Sequence, residues 1–103
     1  MFIYNVTTHV EPAIEKQWLD WMNSDHLPLM LKTGRFNKAV IFKIITEDDM
    51  GGVSYATQYH CNSRTEFEQY QKEDADRLKN HTIERFGEQI LSFRTELEQI
   101  TLV

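Results

Sequence analysis

An α+β fold is predicted by three features of this 103-residue chain. Four stretches are rich in β-branched and aromatic residues, two carry apolar residues at helical spacing, and their order is β-α-β-β-α-β. Two β-α-β crossovers joined by a hairpin make the ferredoxin-like split unit. Right-handed crossovers then place both helices on one face of an antiparallel four-stranded sheet. A single domain over residues 1–103 is expected, because no linker, internal repeat or low-complexity segment interrupts the chain.

Residues 2–10, Phe-Ile-Tyr-Asn-Val-Thr-Thr-His-Val, read as the first strand. Glu11-Pro12 opens a helix, with Pro12 suited to the first helical position. Ile14, Trp18, Trp21, Met22 and Leu29 fall in one apolar stripe, and Asp25 falls in its centre. Pro28 disfavours helical geometry at Leu27. A break or kink is therefore expected near Asp25-His26-Leu27, then a short piece from Pro28 to Thr33 and a stop at Gly34. Residues 35–46 read as the second strand, with the run Ala39-Val40-Ile41-Phe42. Glu47 to Gly52 reads as a hairpin turn. The third strand, about 53–61, puts Val53, Tyr55, Thr57 and Tyr59 on one face. Ser63-Arg64-Thr65-Glu66 is a capping box. It starts a second helix that turns Phe67, Tyr70, Leu78 and Phe86 to the core; Asp74-Ala75-Asp76 is a candidate interruption, and Gly87 ends it. The fourth strand covers about 88–100, with Leu91, Phe93 and Leu97 on one side.

Composition excludes several function classes. Lys and Arg number 11 against 16 Asp and Glu, a net charge of −5, which argues against a nucleic-acid partner. Apolar residues are 41% of the chain, enough for a core and against disorder. No apolar run approaches the roughly 18 residues of a membrane helix. Met1 leads directly into Phe2-Ile3-Tyr4 without a basic segment, so no signal peptide is expected. The lone Cys61 cannot form an internal disulfide, and a cytoplasmic location is expected.

With helices on one face only, the other face should be polar if it meets water. It is not. Phe36, Val40, Phe42 and Ile44 of the second strand point one way, and Ala39, Ile41 and Ile45 the other. A sheet apolar on both faces needs a second cover, and the simplest is the sheet of an identical subunit, giving a homodimer. The alternative is a monomer with scattered apolar residues on its surface.

The segments Ile3-Tyr4-Asn5-Val6-Thr7, Val10-Glu11-Pro12, Trp18-Leu19-Asp20-Trp21-Met22 and His26-Leu27-Pro28 resemble those of a bacterial family of short proteins classed as a domain of unknown function. Gly51-Gly52-Val53-Ser54-Tyr55, Gln58-Tyr59, Arg85-Phe86-Gly87 and Phe93-Arg94-Thr95 carry the resemblance over nearly the whole chain. At fold level the chain also resembles the dimeric α/β-barrel group. That group includes antibiotic-biosynthesis monooxygenases, haem-degrading monooxygenases, muconolactone isomerases and EthD-like proteins. His26-Leu27-Pro28 is similar to a His-x-Pro element of EthD-like members. Fold analogy alone carries no function.

Six residues are candidates for a site. His26 adjoins Asp25 at the expected helix break. An imidazole there can act as a general base or bind an acidic ligand; alternatively, His26 and Asp25 cap broken helix ends. Asn5 is unusual inside a strand. An asparagine on the first strand of haem-degrading relatives is similar, but the Trp and axial His of that pattern are unmatched, and no cofactor is implied. The plain alternative for Asn5 is a buried amide paired with a neighbour. His81 lies near the apolar side of the second helix and reads as a cleft residue or a hydrogen-bonded boundary histidine. Arg94 can clamp a carboxylate with its planar fork, or form an intersubunit ion pair with Glu96 or Glu98. Trp21 and Tyr55 line an aromatic pocket or belong to the core. His9 and His60 lack metal-ligand spacing, and no metal site is expected. His60 and Cys61 are strand neighbours that point apart, which argues against a Cys-His nucleophile.

The expected function is a homodimer that binds a small apolar, aromatic or acidic molecule between helices and sheet. The alternatives are a cofactor-independent monooxygenase or isomerase of the antibiotic-monooxygenase or EthD-like type using His26, and a ligand-free structural or interaction module.

Overall fold

The structure, a computed structural model, describes residues 1–46 and 51–103. Its strands are β1 (Phe2–Val10), β2 (Lys38–Ile44), β3 (Val53–Cys61) and β4 (Ile90–Glu98), in spatial order β2-β3-β1-β4. Every neighbouring pair is antiparallel. The first crossover is helical: α1 (Glu15–Trp21), a π-helical turn (Met22–His26) and α2 (Leu27–Lys32). The second holds α3 (Arg64–Glu73) and α4 (Ala75–Phe86). This is the ferredoxin-like α+β arrangement that the element order predicts. Among the described residues no helix is long and apolar enough to cross a membrane.

Local chemistry accounts for the element ends. Ser63 Oγ accepts the Glu66 N–H at 3.2 Å, forming the first half of the capping box. The second half does not form, because Glu66 instead pairs with Arg35 at 3.0 Å, and Arg35 also reaches Glu73 at 2.8 Å. The expected interruption is a single residue, Asp74, whose ψ of −27° at φ −126° separates α3 from α4. Gly52 has φ +78°, and a Cβ there would stand 2.7 Å from the Val10 carbonyl oxygen, so only glycine fits where β3 starts against β1. The rest of the expected turn, residues 47–50, lies outside the described residues.

Two expectations are corrected. The expected break or kink near Asp25-His26-Leu27 takes the form of the π-helical turn Met22–His26, and the helical chain does not stop there. Leu27 stays helical at φ −62° and ψ −46° although Pro28 follows, and its N–H donates to the Met22 carbonyl five residues back. A proline ring collides with the carbonyl four residues earlier, and a wider turn relieves that collision without ending the helix. The second correction concerns Phe36, which does not share a face with Val40, Phe42 and Ile44. Pairing of β2 starts at Lys38, and the bend at Asn37, whose N–H donates to the His60 carbonyl, turns Phe36 into the core at 5% exposure.

Side chains alternate across the sheet. Phe2, Tyr4, Thr8 and Val10 of β1 and Tyr55, Thr57, Tyr59 and Cys61 of β3 are buried on the helix side. One core cluster includes Tyr4, Met30, Phe36, Tyr59, Phe67, Tyr70 and Leu78. The other includes Val10, Ile14, Trp18, Trp21, Met22, Tyr55 and Phe86. The opposite face carries Phe42 at 50% exposure and Phe93 at 60%, together with exposed Leu91 and Leu97.

Candidate functional site

The π turn decides which side chain enters the interior. On a regular helical wheel Asp25 falls in the apolar stripe. The extra residue in this turn carries Asp25 out to solvent and His26 in, to 7% exposure. Asn23 Nδ2 and Ser24 Oγ donate to the Leu19 and Asp20 carbonyls, at 3.0 and 2.8 Å, bracing the widened turn.

An aromatic stack holds His26. Its ring lies on Trp21 (centroids 4.9 Å apart, planes at 18°) and beside the His81 ring (5.8 Å, 13°). Trp21 also stacks on His81 and meets Phe86 edge-on. His81 Nε2 lies 3.1 Å from Asp25 Oδ1, tying α4 to the π turn. Burial lowers the His26 pKa to about 4; nearby His81 and Arg94 push the same way, and Asp25 opposes them. The imidazole is therefore neutral at pH 7. Its Nδ1 is buried with no hydrogen-bond partner among the described residues.

His26 lines a cavity of about 40 Å³ between helices and sheet, at the seam of the two core clusters. Thr57 lines it from β3. Its side chain is fully buried, and Oγ1 has no partner among the described residues. Each such orphan costs roughly 1–3 kcal/mol. Thr8 and Ser92, whose hydroxyls pair at 3.0 Å, line the cavity from β1 and β4. A second cavity of about 170 Å³ adjoins it, and Tyr4, Tyr70, Lys79 and Arg94 line both. At this junction Arg94 Nε donates to the Tyr4 hydroxyl at 3.0 Å. Burial raises the Tyr4 pKa and Arg94 opposes it, leaving a neutral phenol.

The six expected site residues divide by position. His26 and Arg94 line the cavity. Trp21 and His81 back His26 without lining it. Tyr55 packs in the core against Trp18 at 5.2 Å and donates its hydroxyl to Glu15. Burial, then Glu15, pushes that hydroxyl up to about 12. Asn5 stands on the opposite face of the sheet, where Nδ2 donates to Thr7 and Thr95. Its pairing there is the plainer of the two readings, although Oδ1 has no partner among the described residues. Cys61 is buried, and burial raises its thiol to about 11, which makes it a poor nucleophile. Sequence reasoning missed Thr57, Lys79, Thr8 and Ser92. Thr57 did leave a signal, as the one hydroxyl between Tyr55 and Tyr59 on a buried strand face.

The family model described as a domain of unknown function (DUF4286) matches residues 1–100. No curated protein matches the chain. Among solved structures, a dimeric ferredoxin-like protein from an uncultured marine organism superposes with a TM-score of 0.74 at 14% identity, covering 99% of this chain and 97% of its own. An EthD-family protein from Bacillus halodurans C-125 gives 0.71 at 13% identity, over 97% and 100%. A protein described as a candidate antibiotic biosynthesis monooxygenase from Deinococcus radiodurans gives 0.59 at 9%, over 100% and 96%. At these identities the likeness concerns the fold.

Proposed function

The chain belongs to the DUF4286 family, and from that premise we propose that it is a cytoplasmic homodimer binding a small aromatic or acidic molecule between helices and sheet. One observation carries the binding reading. A single cavity is lined by two residues with buried unpartnered polar atoms, His26 and Thr57, and by two cationic residues, Lys79 and Arg94. Binding sites combine apolar walls with a few convergent polar groups in this way. The dimer reading is supported by the apolar, uncovered sheet face and by a structural relative described as dimeric. The buried, unpaired Cys61 suits a reducing compartment.

Thermal denaturation against single-ring acids, amides and phenols tests the binding. A ligand at ten times its Kd adds about 1.4 kcal/mol, a Tm rise of roughly 5–10 °C for a domain of this size. No rise with any class overturns the reading.

A second reading rests on the unpartnered His26 Nδ1. It makes His26 the proton-transfer residue of a cofactor-independent monooxygenase or isomerase, after the descriptions of two structural relatives. A general base works best with a pKa near the working pH, and His26 at about 4 is a weak acceptor. The binding reading is therefore preferred.

A further inference from the structure

Resting on the binding reading above, we infer that the ligand is a single-ring aromatic monoanion. Its anionic group lies on Arg94 and Lys79 at the junction of the two cavities, and its ring extends into the outer one.

The polarity of the two cavities orients such a molecule. Arg94 and Lys79 line both, and neither forms an ion pair among the described residues, although acids exceed bases by 16 to 11 in the chain. Arg94 uses Nε on Tyr4, which leaves the terminal amino groups of its guanidinium for a carboxylate. Glu96 also lines the outer cavity, and its negative charge disfavours a second charge on the ligand. The inner end is different. Thr57 Oγ1 and His26 Nδ1 are neutral, buried and unpartnered. Arg94 and Lys79 line this inner cavity too, so an anionic group at the junction is countered there, and these neutral groups do not oppose its charge.

Size sets the body of the ligand. The inner cavity, about 40 Å³, holds a polar group but not a ring. The outer, about 170 Å³, exceeds the roughly 150 Å³ of an apolar cavity known to take benzene. Tyr4, Phe67 and Tyr70 supply aromatic walls there.

Calorimetric titration of the full chain with 4-hydroxybenzoate, 4-hydroxybenzamide and benzoate tests the assignment. The acid should bind at least tenfold more tightly than the amide. Arg94→Gln and Lys79→Gln each remove that preference, because both side chains line the junction of the two cavities. Benzoate, which keeps the charge without the hydroxyl, should also bind more tightly than the amide. Equal binding of acid and amide, or full affinity in Arg94→Gln, overturns the charge assignment while the binding reading stands. Binding confined to the uncharged compounds of the thermal panel overturns it in the same way. If no compound of either set binds, both fall.

Discussion

His26 has a pH signature that follows from its burial. Its pKa falls from 6.5 in the open chain to about 4 in the fold. Above pH 6.5 it is neutral in both states and stability is unaffected. Between 6.5 and 4 the unfolded chain takes up the proton first, so stability is lost as pH falls, and the loss levels off below 4. The total is on the order of 3 kcal/mol. Urea midpoints measured from pH 7.5 to 4 should therefore drop more steeply in the natural protein than in His26→Gln; parallel slopes contradict the burial argument. Thr57 makes the opposite kind of prediction. Its hydroxyl is buried unpaired, so Thr57→Val removes an unmet polar group at nearly constant shape. The unliganded protein should gain about 1 kcal/mol, read as a higher Tm. A loss of stability would mean that the hydroxyl is satisfied. At this scale the sequence was partly legible. His26 and Arg94 stood out because each is out of keeping with its element. Lys79 did not, because its exposed helix carries many charges and only the fold tells which one borders a cavity.

At the scale of elements, the π turn is the decisive feature. A regular wheel assumes one rotation per residue, so it put Asp25 in the apolar stripe and made Pro28 a break. Both anomalies have one cause, a widened turn, and the position of the irregularity was legible even though its form was not. Gly52 marks another constraint. Its φ of +78° lies in the left-handed region, and the Val10 carbonyl closes off the space a side chain needs. Gly52→Ala should cost about 1–2 kcal/mol from the backbone alone, with the clash added, and thermal denaturation reads it directly. An unchanged Tm would mean that the hairpin shifts freely against β1.

For the whole molecule, the question is what covers the sheet. Phe42, Leu91, Phe93 and Leu97 leave an apolar surface on the face away from the helices. Burying a phenylalanine contributes roughly 1.5–3 kcal/mol, and a two-fold interface counts each residue twice. Phe93→Asp should then split the proposed dimer. Sedimentation of the natural protein is expected to give twice the 12.2 kDa of the chain, and of the variant 12.2 kDa, with the far-UV circular dichroism retained. A natural protein sedimenting at the mass of one chain removes the homodimer.

The sequence by itself determined the topology, the two-sided apolar sheet and the neighbourhood of His26. Each of these follows from local periodicity, from charge and from the stereochemistry of glycine and proline. Only the tertiary structure decided which residues share the cavity. Thr57, Lys79 and Arg94 come from a central strand, a helix and an edge strand, and they meet because β1 lies between β3 and β4 beneath the crossover helices. Asn5, one residue from Tyr4, was carried to the far face by the same pleat, since alternation separates chain neighbours while the sheet gathers residues remote in the chain.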